Sequence, residues 1–106
     1  MESLNIVFTG QNQLQIRAEP VSALQPGQIL VEGSKSLIST GTECIALSRN
    51  FAPGTHWDSW VKYPFYPGYS HTGRVIEIGD GVENLKVGDR IAARTRHRQF
   101  FTVPAT

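Results

Sequence analysis

Apolar and polar positions alternate along much of the chain, and glycines and prolines mark where one run ends and the next begins. Leu4 to Thr9 is a short apolar and β-branched run that stops at Gly10. Gln11-Asn12 reads as a turn, after which Leu14, Ile16 and Ala18 alternate with Gln13, Gln15 and Arg17. A period of two is that of a half-buried strand, so these segments predict a hairpin. Pro20 stops its second strand, and Pro26-Gly27 is a turn. Gln28 to Gly33 opens the next strand, with Ser36-Leu37-Ile38-Ser39 as its extension past a bend. Thr42 to Asn50 is the helix candidate, with Thr42 as cap, Glu43 in the first turn and Arg49 in the last. It is short and depends on tertiary packing.

Phe51 to Pro67 carries Pro53, Gly54, Pro64 and Pro67, too many breakers for a regular element. It also holds Phe51, Trp57, Trp60, Tyr63, Phe65 and Tyr66, and an aromatic content this high argues for order. Thr72–Ile78 is a strand, and Gly79-Asp80-Gly81 reads as a hairpin turn whose glycines supply positive φ. Val87–Ala93 gives a turn and a strand, and Phe100–Val103 is the last strand, closed by Pro104. Five to seven short strands with a small helix predict a mainly β fold, a closed or partly open barrel.

At 106 residues the chain is long enough for one domain and one core. Ten Lys and Arg stand against nine Asp and Glu. That balance argues against general nucleic-acid or membrane-surface binding, which need a basic excess. The single cysteine, Cys44, excludes an intrachain disulfide and any site of several thiolates. It reads as a buried thiol in a reducing compartment. Met1 to Asn5 lacks the basic and apolar regions of a signal peptide, and no apolar run is long enough to span a membrane. The expectation is a cytoplasmic protein. No Gly-x-Gly-x-x-Gly follows a strand, so these residues carry no dinucleotide-binding unit.

The stretch from Gly68-Tyr69-Ser70-His71, through Gly73-Arg74-Val75-Ile76-Glu77-Ile78-Gly79, to Gly88-Asp89-Arg90 resembles a segment of the medium-chain dehydrogenases. There a Gly-His-Glu motif leads through a Gly-x-Val-x-x-x-Gly strand to a Gly-Asp-Arg-Val turn. Upstream, Thr40-Gly41-Thr42-Glu43 is similar to their Cys-Gly-Thr/Ser-Asp motif. Downstream, Gln99-Phe100-Phe101-Thr102-Val103-Pro104-Ala105 resembles their Phe-Ala-Glu-Tyr-x-x-Val-Pro strand. The likeness covers nearly the whole chain and is nearest the branch with bacteriochlorophyllide-type dehydrogenases. It implies that residues 1–106 are the GroES-like, substrate-side domain, a partly open barrel with one or two short helices. A Rossmann domain absent from this chain would then follow and bind NAD(P).

The resemblance also implies which chemistry is missing. Thr40, Tyr69 and Ser70 stand where zinc-dependent relatives place metal-site residues, and hydroxyls do not replace a thiolate and an imidazole. The four-cysteine structural lobe is absent around Ala93–Arg98. The expectation is therefore a zinc-independent oxidoreductase whose carbonyl is polarised by hydrogen-bond donors. Thr42 holds the position of the relay hydroxyl, Tyr69 offers a phenol, and Thr40 lines the cleft. Thr42 as a plain helix cap and Tyr69 as a packed aromatic are the competing readings. Glu43 reads as an exposed first-turn carboxylate or as a partner for an arginine. Trp57, Trp60 and Tyr66 lie where relatives wall the substrate pocket, against a self-packed loop. His56, His71 and His97 follow no ligand spacing, and His71 is the one singled out for substrate or proton handling. Arg94, Arg96 and Arg98 share a face if extended, either solvated or facing an anion. Partners implied are the Rossmann domain and a small-molecule substrate, with a homodimer left open. The rivals are a free-standing GroES-like binding module and a chaperonin-type ring subunit.

Overall fold

The computed structural model describes residues 1–105, so Thr106, the expected end of the domain, lies outside the described residues. The first run forms β1 (Glu2–Gly10), which turns through Gln11 and Asn12 into antiparallel β2 (Gln13–Pro20). Asn12 makes that turn at φ 56°, a left-handed conformation asparagine tolerates. Then come β3 (Gln28–Ser36), α1 (Thr40–Ser48), α2 (His56–Trp60), β4 (His71–Ile78), β5 (Arg90–Ala93) and β6 (Phe100–Pro104). The last four strands make an antiparallel sheet in the order β5-β4-β3-β6. The two sheets stay open rather than closing into a barrel. β1 stitches them together. The Ile6 N–H donates to His97 O at 3.2 Å, the Gln99 N–H to Leu4 O at 3.0 Å, and Phe8 and Phe65 exchange backbone bonds of 2.8 and 2.9 Å.

Alternation decides which side chains are covered. Ile29 and Val31 of β3, Val75 of β4 and Phe101 of β6 are buried against one another and form the main core. A second cluster joins Phe8 of β1, Ala46 of α1 and Val61. Several expectations are corrected. In β2 the apolar set Leu14, Ile16 and Ala18 is exposed, while Arg17 and Glu19 are half-buried. Glu19 turns inward because its carboxylate accepts from Tyr66 Oη at 2.7 Å and Asn5 Nδ2 at 3.1 Å. β3 stops at Ser36, leaving Leu37 and Ile38 exposed.

α1 starts two residues early, with Ser39 as its N-cap, so Thr42 lies inside the first turn and caps nothing. The cause is Glu43, whose carboxylate reaches back to the Ser39 N–H while its own N–H donates to Ser39 O at 2.9 Å. Arg49 is not in the last turn but ends the helix at φ 54°, its guanidinium held by Asp58 at 2.8 Å and Val61 O at 2.9 Å. The aromatic segment contains one regular turn, α2, which holds Asp58; that carboxylate also accepts the Gly54 N–H at 3.1 Å.

The Gly79-Asp80-Gly81 turn does not close a tight hairpin, because residues 79–89 separate β4 from β5. Gly81 has φ 82°, as a tight turn requires. Gly79 serves a different need: a Cβ there would run into the carbonyl oxygens of Gln25 and Gln28.

Candidate functional site

The first turn of α1, the aromatic segment and residues 67–69 meet around a cavity of about 70 Å³. Thr42, Trp60, Tyr66 and Tyr69, four of the residues singled out from sequence, line it together with Glu43. Trp57 does not reach the wall but packs behind Trp60, with ring centroids 5.6 Å apart. Thr40 sits exposed at the start of α1, outside the lining. His71 lies elsewhere. It is buried beside Phe101 at 5.0 Å, and its ring nitrogens face the carbonyls of Thr72 at 3.0 Å and Arg98 at 2.9 Å.

A buried polar chain runs behind the cavity. Glu43 is 6 % exposed, not the solvated carboxylate expected, and His97 is 5 % exposed. His97 Nε2 donates to the Glu43 carboxylate, because an ionised carboxylate only accepts. His97 Nδ1 then accepts from Ser36 Oγ at 2.6 Å. Gly68 allows this approach: its φ of 106° is left-handed, and a Cβ there would sit 2.7 Å from His97 N. Glu43 and His97 are 54 residues apart, and no local pattern announces their pairing. Cys44, read as a buried thiol, is exposed.

Tyr66 is anchored from outside the cavity. Its hydroxyl donates to Glu19, and that bond, with the Asn5 amide, holds the Glu19 carboxyl below its ordinary value. The same bond pushes the Tyr66 phenol up. A lowered folded-state carboxyl stabilises the fold above its unfolded pKa and loses that contribution as pH falls through the folded one. Denaturation measured from pH 7 to pH 3 should therefore show stability falling on the acid side, below the ordinary glutamate range. Glu19→Gln should flatten part of that fall. An unchanged acid limb would show that the contact does not survive in solution.

Gly68 and Tyr69 also line a neighbouring basin of about 510 Å³, together with Arg94, Thr95, Arg96 and Arg98. Burial lowers the Arg98 pKa, and the charge of Arg96 adds to the effect.

Thr40 and Tyr69 are exposed neutral hydroxyls, and no group of three or more His, Cys, Asp or Glu among the described residues could hold a metal ion. Among the described residues, no helix is long and apolar enough to cross a membrane.

A family model described as the alcohol dehydrogenase GroES-like domain matches residues 25–102. The chain is 30% identical over 91 residues to 2-desacetyl-2-hydroxyethyl bacteriochlorophyllide A dehydrogenase of Cereibacter sphaeroides, covering 86% of this chain and 27% of that protein. It is also 30% identical over 91 residues to the sorbitol dehydrogenase of Mus musculus, covering 86% of this chain and 24% of the relative. The chain thus spans about a quarter of the length of these curated relatives. Two solved structures share its fold. An alcohol dehydrogenase superfamily protein from Novosphingobium aromaticivorans has a TM-score of 0.76 at 21% identity, covering 97% of this chain and 32% of that one. The Escherichia coli quinone oxidoreductase complexed with NADPH has a TM-score of 0.65 at 22% identity, covering 97% and 31%.

Proposed function

The chain belongs to the alcohol dehydrogenase GroES-like domain family, and from that premise we propose that it forms the substrate side of the cleft in a zinc-independent, NAD(P)-dependent medium-chain oxidoreductase of the cytoplasm. The observation that carries this reading is that Thr42 and Tyr69, both hydroxyl-bearing, line one small cavity together with Trp60 and Tyr66.

The nicotinamide, held by a Rossmann domain outside these residues, supplies the hydride when bound. This domain's part is electrostatic and steric. Tyr69 Oη and Thr42 Oγ1 donate hydrogen bonds to a carbonyl oxygen as negative charge develops on it, the role zinc plays in metal-dependent enzymes. The indole of Trp60 and the ring of Tyr66 give the carbonyl's neighbourhood an apolar wall. Trp57 backs Trp60 and holds it in place. Thr40, at the exposed start of α1, is assigned to the cleft by the resemblance alone. The likeness to a quinone oxidoreductase complexed with NADPH supports the cofactor class. The likeness to a bacteriochlorophyllide dehydrogenase supports a large, flat substrate. An exposed free thiol at Cys44 suits a reducing compartment.

The test is metal analysis and NAD(P)H-coupled turnover of the full-length gene product. Turnover should persist with far less than one zinc per chain and should resist chelators. Tyr69→Phe should lower kcat by about 10²-fold, the usual cost of losing one such donor. Stoichiometric zinc lost together with activity on chelation would overturn the reading, as would full activity in the Tyr69→Phe, Thr42→Val double variant.

A further inference from the structure

Resting on that reading, we propose that the basin formed by Arg94, Arg96 and Arg98 binds an anionic group of the substrate, a carboxylate or a phosphate, while the substrate's apolar body lies along the aromatic wall. The first observation is charge without partners. Among the described residues Arg49 pairs with Asp58 and the His97 imidazole bonds Glu43, and none of these three arginines makes an ion pair. Glu19, whose carboxylate feels the charge of Arg96, is already engaged by Tyr66 and Asn5.

The second observation is an unmet donor. Arg98 Nε is buried without a hydrogen-bond partner, while its Nη2 donates to Thr95 Oγ1 and its guanidinium packs 5.6 Å from the Phe101 ring. Arg98 Nε is itself sealed from solvent, but an oxyanion bound beside this half-buried guanidinium offsets part of the cost of its charge. Guanidinium forks match carboxylate and phosphate geometry, which a single lysine does not.

The third observation is continuity. Gly68 and Tyr69 line both the basin and the cavity that holds Thr42. Arg96 lies 5.2 Å from the ring centroid of Tyr66, so cation and aromatic wall touch. Tyr69 is thus common to the arginine-lined basin and to the cavity that Trp60 lines. The cavity holds only a few heavy atoms, so any larger substrate must extend into this basin.

The experiment is an NMR titration of this chain, at low salt, with phenyl phosphate, inorganic phosphate and 2′,5′-ADP. Phenyl phosphate should give saturable shifts at the amides of Gly68, Tyr69 and Thr95, and should bind more tightly than inorganic phosphate. Arg94→Ala with Arg96→Ala, both exposed positions that leave the fold intact, should weaken it about tenfold, or 1.4 kcal/mol. Added salt should weaken it further. No saturable shift, or unchanged affinity in the double variant, overturns the proposal. Tighter binding of 2′,5′-ADP than of phenyl phosphate also overturns it, by assigning the arginines to a cofactor phosphate. Because this titration needs neither cofactor nor turnover, its failure is distinguishable from failure of the oxidoreductase reading.

Discussion

His97→Ala should lower the unfolding free energy by about 3–5 kcal/mol, the usual result of leaving a buried charge without its partner. The substitution removes the N–H that His97 gives the Glu43 carboxylate and leaves that charge nearly enclosed. Ser36 loses its acceptor as well, although it is exposed and water replaces it. A domain of this size has roughly 5–15 kcal/mol in all, so the variant should melt lower by on the order of 15 °C or more. The decisive measurement is the double variant. Adding Glu43→Gln to His97→Ala should recover part of the loss, because a neutral amide is cheaper to enclose and still accepts from the Ser39 N–H. Losses that merely add would mean the two side chains do not interact in solution.

Phe101→Ala should cost about 3–5 kcal/mol, as for other fully buried aromatic side chains. Phe101 is 0 % exposed and packs with Ile29, Val31 and Val75 at the centre of the four-stranded sheet. It also covers the buried ring of His71. Ile16→Ser makes the contrast, since Ile16 is 66% exposed. That change should stay within about 0.5 kcal/mol, as surface substitutions usually do. Urea denaturation of both variants checks the pair. A large loss at Ile16 would mean the hairpin face is covered in the protein in solution.

Much of the strand framework could be read from the sequence because its signals are local. Val75, Ile76 and Ile78, or Phe100 to Val103, are β-branched or aromatic runs bounded by turn residues. The resemblance to medium-chain dehydrogenases further led to Thr42, Tyr69, Trp60 and Tyr66, which the fold gathers around one cavity. What stayed hidden depends on distant partners. The period of β2 was plain, but which face turns inward is decided by Tyr66, 47 residues beyond Glu19. The helix start moved because Glu43 reaches back to Ser39, and Glu43 is buried because His97 arrives from the far end of the chain. Periodicity carries no information about such pairings. The arginine triplet was visible as an alternation, whereas its lack of ion pairs among the described residues is a property of the fold alone.

The inverted hairpin has a consequence for handling the protein. β2 pairs on one side only, with β1, so its outer main-chain groups are unsealed beside exposed Leu14 and Ile16. Bare strand margins of this kind are usually guarded by outward charges, but here Arg17 and Glu19 are half-buried and the interleaved residues are neutral glutamines. This corner is therefore the chain's template for strand-on-strand aggregation, and charge placed at Leu14 or Ile16 is the change that keeps concentrated samples monodisperse.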